Sequence, residues 1–160
     1  MVKIDTLFKK KRISRIGDLE IDRYVNFFEN SYKDNLEHSK FNIEKFPRWG
    51  IISGYYAMHD LTKLIIAKKF RIKVDFKVHL TTIQLLRELI KNKELVKYLK
   101  SAYKEFLNLA NDLEEAKKER TKVQYYTGTP FLLEEYKKKA KEFYENTVLI
   151  YINKILLLLK

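Results

Sequence analysis

Arg48-Trp49-Gly50-Ile51-Ile52-Ser53-Gly54-Tyr55-Tyr56-Ala57-Met58-His59-Asp60-Leu61-Thr62-Lys63-Leu64-Ile65-Ile66-Ala67-Lys68-Lys69 is the stretch that decides the fold. Ile51, Ile52, Tyr55, Met58, Leu61, Leu64, Ile65 and Ile66 fall on nearly every side of a helix drawn through it. A helix that is apolar nearly all round is a central one, covered by neighbours on most of its faces. The polar groups set into it, Ser53, His59 and Asp60, would then be buried or half-buried and need partners.

Working outward, the segment before it reads as a helix capped by Asp18 or Asp22 and running to about Lys45. Val25, Phe28, Tyr32 and Leu36 share one of its faces, and Pro47 ends the connection. After it, a third helix begins near Asp75 with Ile83, Leu86, Leu89 and Ile90. A break at Lys91-Asn92-Lys93 leads to a fourth from about Glu94 to Lys122, with Leu99, Tyr103, Phe106, Leu107, Ala110, Leu113 and Ala116 as its apolar face. Gly128-Thr129-Pro130 is the clearest punctuation in the chain. The last helix repeats apolar residues at three- and four-residue steps from Leu132 through Tyr136, Ala140, Phe143, Val148, Tyr151 and Ile155 to Leu159. Ile72-Lys73-Val74-Asp75-Phe76 alternates like a strand but has nothing obvious to pair with. The expected architecture is all-α, one domain over residues 19–160, a bundle of about five helices with short connections. Residues 1–18 form a basic arm (Lys3, Lys9, Lys10, Lys11, Arg12, Arg15) expected to be irregular or loosely docked.

Composition narrows the classes. Apolar residues make up 46% of 160, so a packed core is feasible and disorder is not expected. Four Gly and two Pro are few for a sheet-rich fold. The chain has no Cys, which removes disulfides and thiolate chemistry and fits a cytoplasmic setting. Met1 to Arg12 has no apolar run, so no signal peptide is expected. The run Leu149–Leu159 is too short to span a bilayer and is interrupted by Asn153 and Lys154, so no membrane partner is expected. Lys and Arg number 33 against 21 Asp and Glu, a net charge of +12. That balance favours a polyanionic partner, RNA or a nucleotide; the plain alternative is a surface rich in Lys and Glu. Eleven Tyr and ten Phe could stack on unpaired bases, although aromatics at helical spacing usually belong to the core.

No phosphate-cradling loop and no cysteine metal site is present, and no cofactor is expected. Three motif pieces occur in order: Tyr55-Tyr56-Ala57-Met58 with His59-Asp60, then Lys77-Val78-His79, then Arg120 followed by Tyr125. In this order and on an all-helical background the chain resembles the HEPN family over about residues 22 to 155. The resemblance implies a HEPN-like helical bundle that forms a homodimer and binds RNA, and in some members a ribonuclease that needs no metal. It implies a shared cleft with Arg120 as the cation that meets developing phosphorane charge. Its guanidinium fork fits phosphate oxygens. At the position where the family's ribonucleases place a histidine, this chain has Tyr125. A phenol, with a reference pKa of about 10, is a poor base at neutral pH and could only donate a proton or a hydrogen bond. His79 or His59 would have to substitute. The resemblance also implies a toxin-antitoxin setting with a nucleotidyltransferase as partner protein.

Lys117, Lys118 and Lys122 surround Arg120, and Tyr126 follows Tyr125, so this helix end is a candidate RNA surface. Lys137, Lys138, Lys139 and Lys141 would join it if the fourth and last helices pack antiparallel with these ends level. Structural roles suit the same residues: a C-terminal helix cation for Arg120, loop packing for Tyr125 and Tyr126. Two other readings remain. One is a non-catalytic dimeric interaction module. The other is an HD-type metal phosphohydrolase, suggested by His38, His59, Asp60 and Asp112 in that order.

Overall fold

The computed structural model describes the backbone of residues 4–120 and 130–159, and side chains over 4–109 and 133–159. The fold is an all-α bundle with a two-stranded ribbon at one edge. Its elements are α1 (Ile4–Lys9), β1 (Ile13–Arg15), α2 (Asp18–Asn42), α3 (Pro47–Phe70), β2 (Ile72–Val74), α4 (Val78–Leu85), α5 (Lys93–Arg120), α6 (Pro130–Phe143) and α7 (Leu149–Leu156). π turns at Leu86–Ile90 and Tyr144–Val148 extend α4 and join α6 to α7.

The central helix is where the sequence puts it. Ile51, Tyr55, Met58, Leu61 and Ile65 of α3 are fully buried, and α2, α4, α5, α6 and α7 all pack around it. Pro47 starts α3 at a position where a missing N–H costs nothing, and Arg71 ends it in a left-handed turn. Glu29 pairs with Lys68, Asp60 with Ser31 and Gly50 with Ser39, so α2 and α3 run antiparallel. Gly54 permits their close approach to the C-terminal helices. A Cβ there would lie 2.9 Å from Ser39 Oγ and from Val148 Cγ2, and 3.1 Å from Phe143 Cε1. Across the bundle Tyr151, fully buried, shares a hydrogen bond of 2.5 Å with Thr62.

The break before α5 is built from two residues. Lys91 adopts the left-handed conformation (φ 58°), and Asn92 Oδ1 accepts from the N–H groups of Glu94 and Leu95 at 3.0 and 3.1 Å. Lys11, Arg71 and Lys77 also have positive φ. Among the described residues the chain thus makes four left-handed turns on basic residues and none on glycine.

The N-terminal arm departs from expectation. Over residues 4–16 it is folded onto the body. Its strand pairs antiparallel with the segment that had no visible partner: Ile13 lies opposite Val74, Ser14 opposite Lys73 and Arg15 opposite Ile72. Leu7 and Ile13 are buried with Ile66, Ile72, Val74 and Leu85 in a small second core. The few apolar residues among the arm's lysines are enough to dock it, because β2 leaves one edge open to receive it.

Candidate functional site

The chemistry-bearing residues of α3 and α4 meet at one place. Tyr55, fully buried in α3, shares a 2.6 Å hydrogen bond between its phenol oxygen and Nδ1 of His79 in the first turn of α4. Lys77, in the left-handed conformation, turns the chain so that α4 begins beside α3. The His79 ring stacks on Tyr103 of α5 (5.4 Å between centroids, 16° between planes), and the Tyr55 ring stacks on Phe106 (4.9 Å, 24°). Tyr56 sets its edge against both His79 and Phe106. Tyr56, His79, Tyr103 and Phe106 are each only partly buried, so this aromatic group reaches the surface.

His59 lies one turn beyond Tyr55, its ring 5.0 Å from that of His79. Its Nδ1 is 3.2 Å from Oδ1 of Asp60. The other carboxylate oxygen of Asp60 accepts from Ser31 Oγ at 2.7 Å and Asn35 Nδ2 at 3.3 Å, both from α2. Ser31 and Asn35 also line a shallow surface depression of about 350 Å³ with Phe27, Asn30 and Asp34. His59 Nε2 is buried and has no hydrogen-bond partner among the described residues.

Burial raises the Tyr55 phenol far above its ordinary range, so it stays protonated and donates to His79 Nδ1. The proton of neutral His79 then sits on Nε2. Burial first, then the charges of His59 and Lys63, lower the His79 pKa below its ordinary value, while Asp60 opposes the shift. Burial likewise lowers Lys63, whose ammonium lies 4.0 Å from the centre of the Phe28 ring; Asp60 and Asp75 act the other way. The site therefore offers a neutral, half-buried imidazole on an aromatic shelf, backed by an Asp–His pair.

Of the residues singled out from sequence, Tyr55, Tyr56, His59, Asp60 and His79 come together. Arg120 does not join them within one chain. His79 stacks on Tyr103, and the backbone of α5 carries Arg120 about 25 Å further along the helix axis at about 1.5 Å per residue. Lys117, Lys118 and Arg120 belong to the last turns of α5, with side chains outside the described residues; Lys122, Tyr125 and Tyr126 lie outside them altogether. The second basic cluster sits elsewhere. Lys139 pairs with Glu105 at 2.8 Å and Lys154 with Glu94 at 2.7 Å, so α5 runs antiparallel to α6 and α7, and Lys139 is level with the middle of α5. That is about 18 Å short of Lys117.

His38 turns its ring to Ser53, with Nδ1 and Oγ 2.6 Å apart. Among the described residues no three His, Cys, Asp or Glu side chains are grouped so as to hold a metal ion. Asp112 has its side chain outside them.

Sequence reasoning missed Ser31, Asn35, Tyr103 and Phe106. The first two stand at i and i+4 on α2 among other polar residues, and nothing in the sequence marks them as partners of Asp60. Tyr103 and Phe106 were legible only as core residues. No helix among the described residues is long and apolar enough to cross a membrane. Compared with family models, curated proteins and solved structures, the chain matches none.

Proposed function

We propose that this chain is an RNA-binding helical domain of HEPN type, whose sharper activity is metal-independent cleavage of RNA by an assembled homodimer. The observation that carries the reading is the meeting of two motif segments far apart in sequence. Tyr55 holds His79 through a 2.6 Å hydrogen bond, beside the Asp60–His59 pair. A half-buried imidazole kept neutral near pH 7 suits proton transfer from a ribose hydroxyl, and the rings around it suit an unpaired base. The net charge of +12 supports a phosphate backbone as the ligand. Because His79 and Arg120 are separated along one chain, chemistry using both requires Arg120 from a second copy.

The test is cleavage of a mixed-sequence RNA in EDTA by wild type, Arg120→Ala and His79→Ala, each checked for folding and for contaminating nuclease. Loss of cleavage in both variants supports the ribonuclease. Salt-dependent binding without cleavage, weakened by charge reversal at Lys117, Lys118 and Lys122, supports RNA binding alone. Absence of both sinks the proposal. A monomer by light scattering at micromolar protein would remove the shared cleft.

A further inference from the structure

We infer that the corner between α2 and α3 is a stacking surface for the unpaired bases of single-stranded RNA. This rests on the RNA-binding reading above and names the form of RNA recognised. Phe41, Phe46 and Trp49 present three aromatic side chains to solvent within nine positions, 75%, 57% and 59% exposed. No burial within the fold accounts for their choice, and three exposed aromatics at one helix–helix corner suit a contact site. Basic residues alternate with them: Lys40 precedes Phe41, Lys45 precedes Phe46, and Arg48 precedes Trp49. Lys40 and Lys45 are exposed and make no ion pair with a described residue. Arg48 lies over the Tyr136 ring at 4.4 Å and ties the corner to α6. Glu44 is the only acidic residue between Lys40 and Trp49, so the corner keeps a positive balance.

The corner is also rigid. Ser39 Oγ donates to Gly50 O at 2.7 Å, and Asn42 Nδ2 donates to His38 O at 2.8 Å. Gly50 lets the two helices close up: a Cβ there would stand 3.2 Å from Ser39 O. Aromatic rings displayed on a fixed backbone lose little freedom when a partner settles on them. The chemistry favours bases over lipid. The exposed apolar groups of this corner are all aromatic, whereas Ile43 is packed against the core. A membrane-surface helix would offer a broad apolar face along its length. Rings interleaved with cations match a chain of bases alternating with phosphates. A duplex, with its bases stacked inside, would offer the rings nothing.

Trp49 is the only tryptophan and reports on its own contact. The full chain would be titrated at low salt with a single-stranded RNA of about twelve nucleotides, within the usual site sizes. The same RNA annealed to its complement and vesicles containing anionic phospholipid would be titrated alongside. Saturable quenching of Trp49 by the single strand is expected, with affinity for the duplex at least about tenfold weaker. Trp49→Ala and Phe46→Ala, read by anisotropy of labelled RNA, should each weaken binding about tenfold, and Lys40→Glu with Lys45→Glu should reduce its salt dependence. Circular dichroism melts matching wild type would show that these surface variants fold. RNA binding that leaves Trp49 emission and the Ala variants unchanged overturns this inference and leaves the proposed function standing. Quenching by vesicles but not by RNA overturns it in favour of a lipid surface. No RNA binding at low salt overturns both.

Discussion

Tyr55 and His79 are joined by a hydrogen bond of 2.6 Å across 24 positions of sequence, with the buried phenol as donor and the half-buried imidazole as acceptor. The bond fixes which nitrogen of His79 carries the proton, and it holds the neutral ring flat against Tyr103.

Tyr55→Phe keeps the ring stack on Phe106 and removes that donor. It should cost about 1 kcal/mol in urea unfolding, the usual value of one such bond. The donor stabilises the neutral ring, so its loss should raise the His79 titration midpoint, followed by NMR of the imidazole protons. A midpoint that stays put would mean that burial and the neighbouring charges set it without the bond.

Acid should weaken the fold through His79. Its folded pKa is depressed, chiefly by burial, below an unfolded value of about 6.5. Below that value the unfolded chain binds the proton more readily, so stability falls as the pH drops toward the folded pKa and levels off beneath it. Melting temperatures measured from pH 8 to 5 should decline on the acid side, and His79→Gln should flatten part of that decline.

Gly54→Ala should be destabilising although alanine is the better helix former. The propensity gain is about 1 kcal/mol. Against it stand contacts of 2.9 Å with Ser39 Oγ and Val148 Cγ2, and overpacking of this kind costs about 1–3 kcal/mol. A net loss in chemical unfolding is expected; a gain would mean that α3 shifts away from the C-terminal helices at no cost.

Removal of residues 1–16 should destabilise the domain rather than merely trim a tail. Leu7 and Ile13 are fully or almost fully buried, and each contributes about 1.5–3 kcal/mol by area. A loss of about 3–6 kcal/mol lowers the melting temperature of a chain this size by on the order of 10 °C. Ile13→Lys, which leaves the arm's length intact, should reproduce about half of it.

The helices were legible because their signal is periodic and long: α3 by apolar residues all round, α5 and α7 by repeats at three and four. The ribbon was not. Its strands are three residues each, its partners lie 57 to 61 positions apart, and Lys9 to Arg12 mask the apolar Leu7 and Ile13. The site was half legible. Motif spacing picked out Tyr55, Tyr56, His59, Asp60 and His79, yet their meeting depends on the left-handed turn at Lys77, where a lysine gives no cue. Ser31 and Asn35 read as ordinary helix polars, and only packing reveals that both serve Asp60. The clusters at Lys117 and Lys139 looked like neighbours, but antiparallel helices align by register, and the Lys139–Glu105 pair fixes that register elsewhere.

The four left-handed reversals at Lys11, Arg71, Lys77 and Lys91 carry a practical consequence for anyone who would engineer this protein. Each holds an L-residue in a conformation that costs about 1–2 kcal/mol and that glycine accepts freely. They form a short menu of thermostabilising substitutions that spare the core. Arg71 is the least attractive of the four, since its guanidinium also pairs with Asp18, a contact that glycine would forfeit.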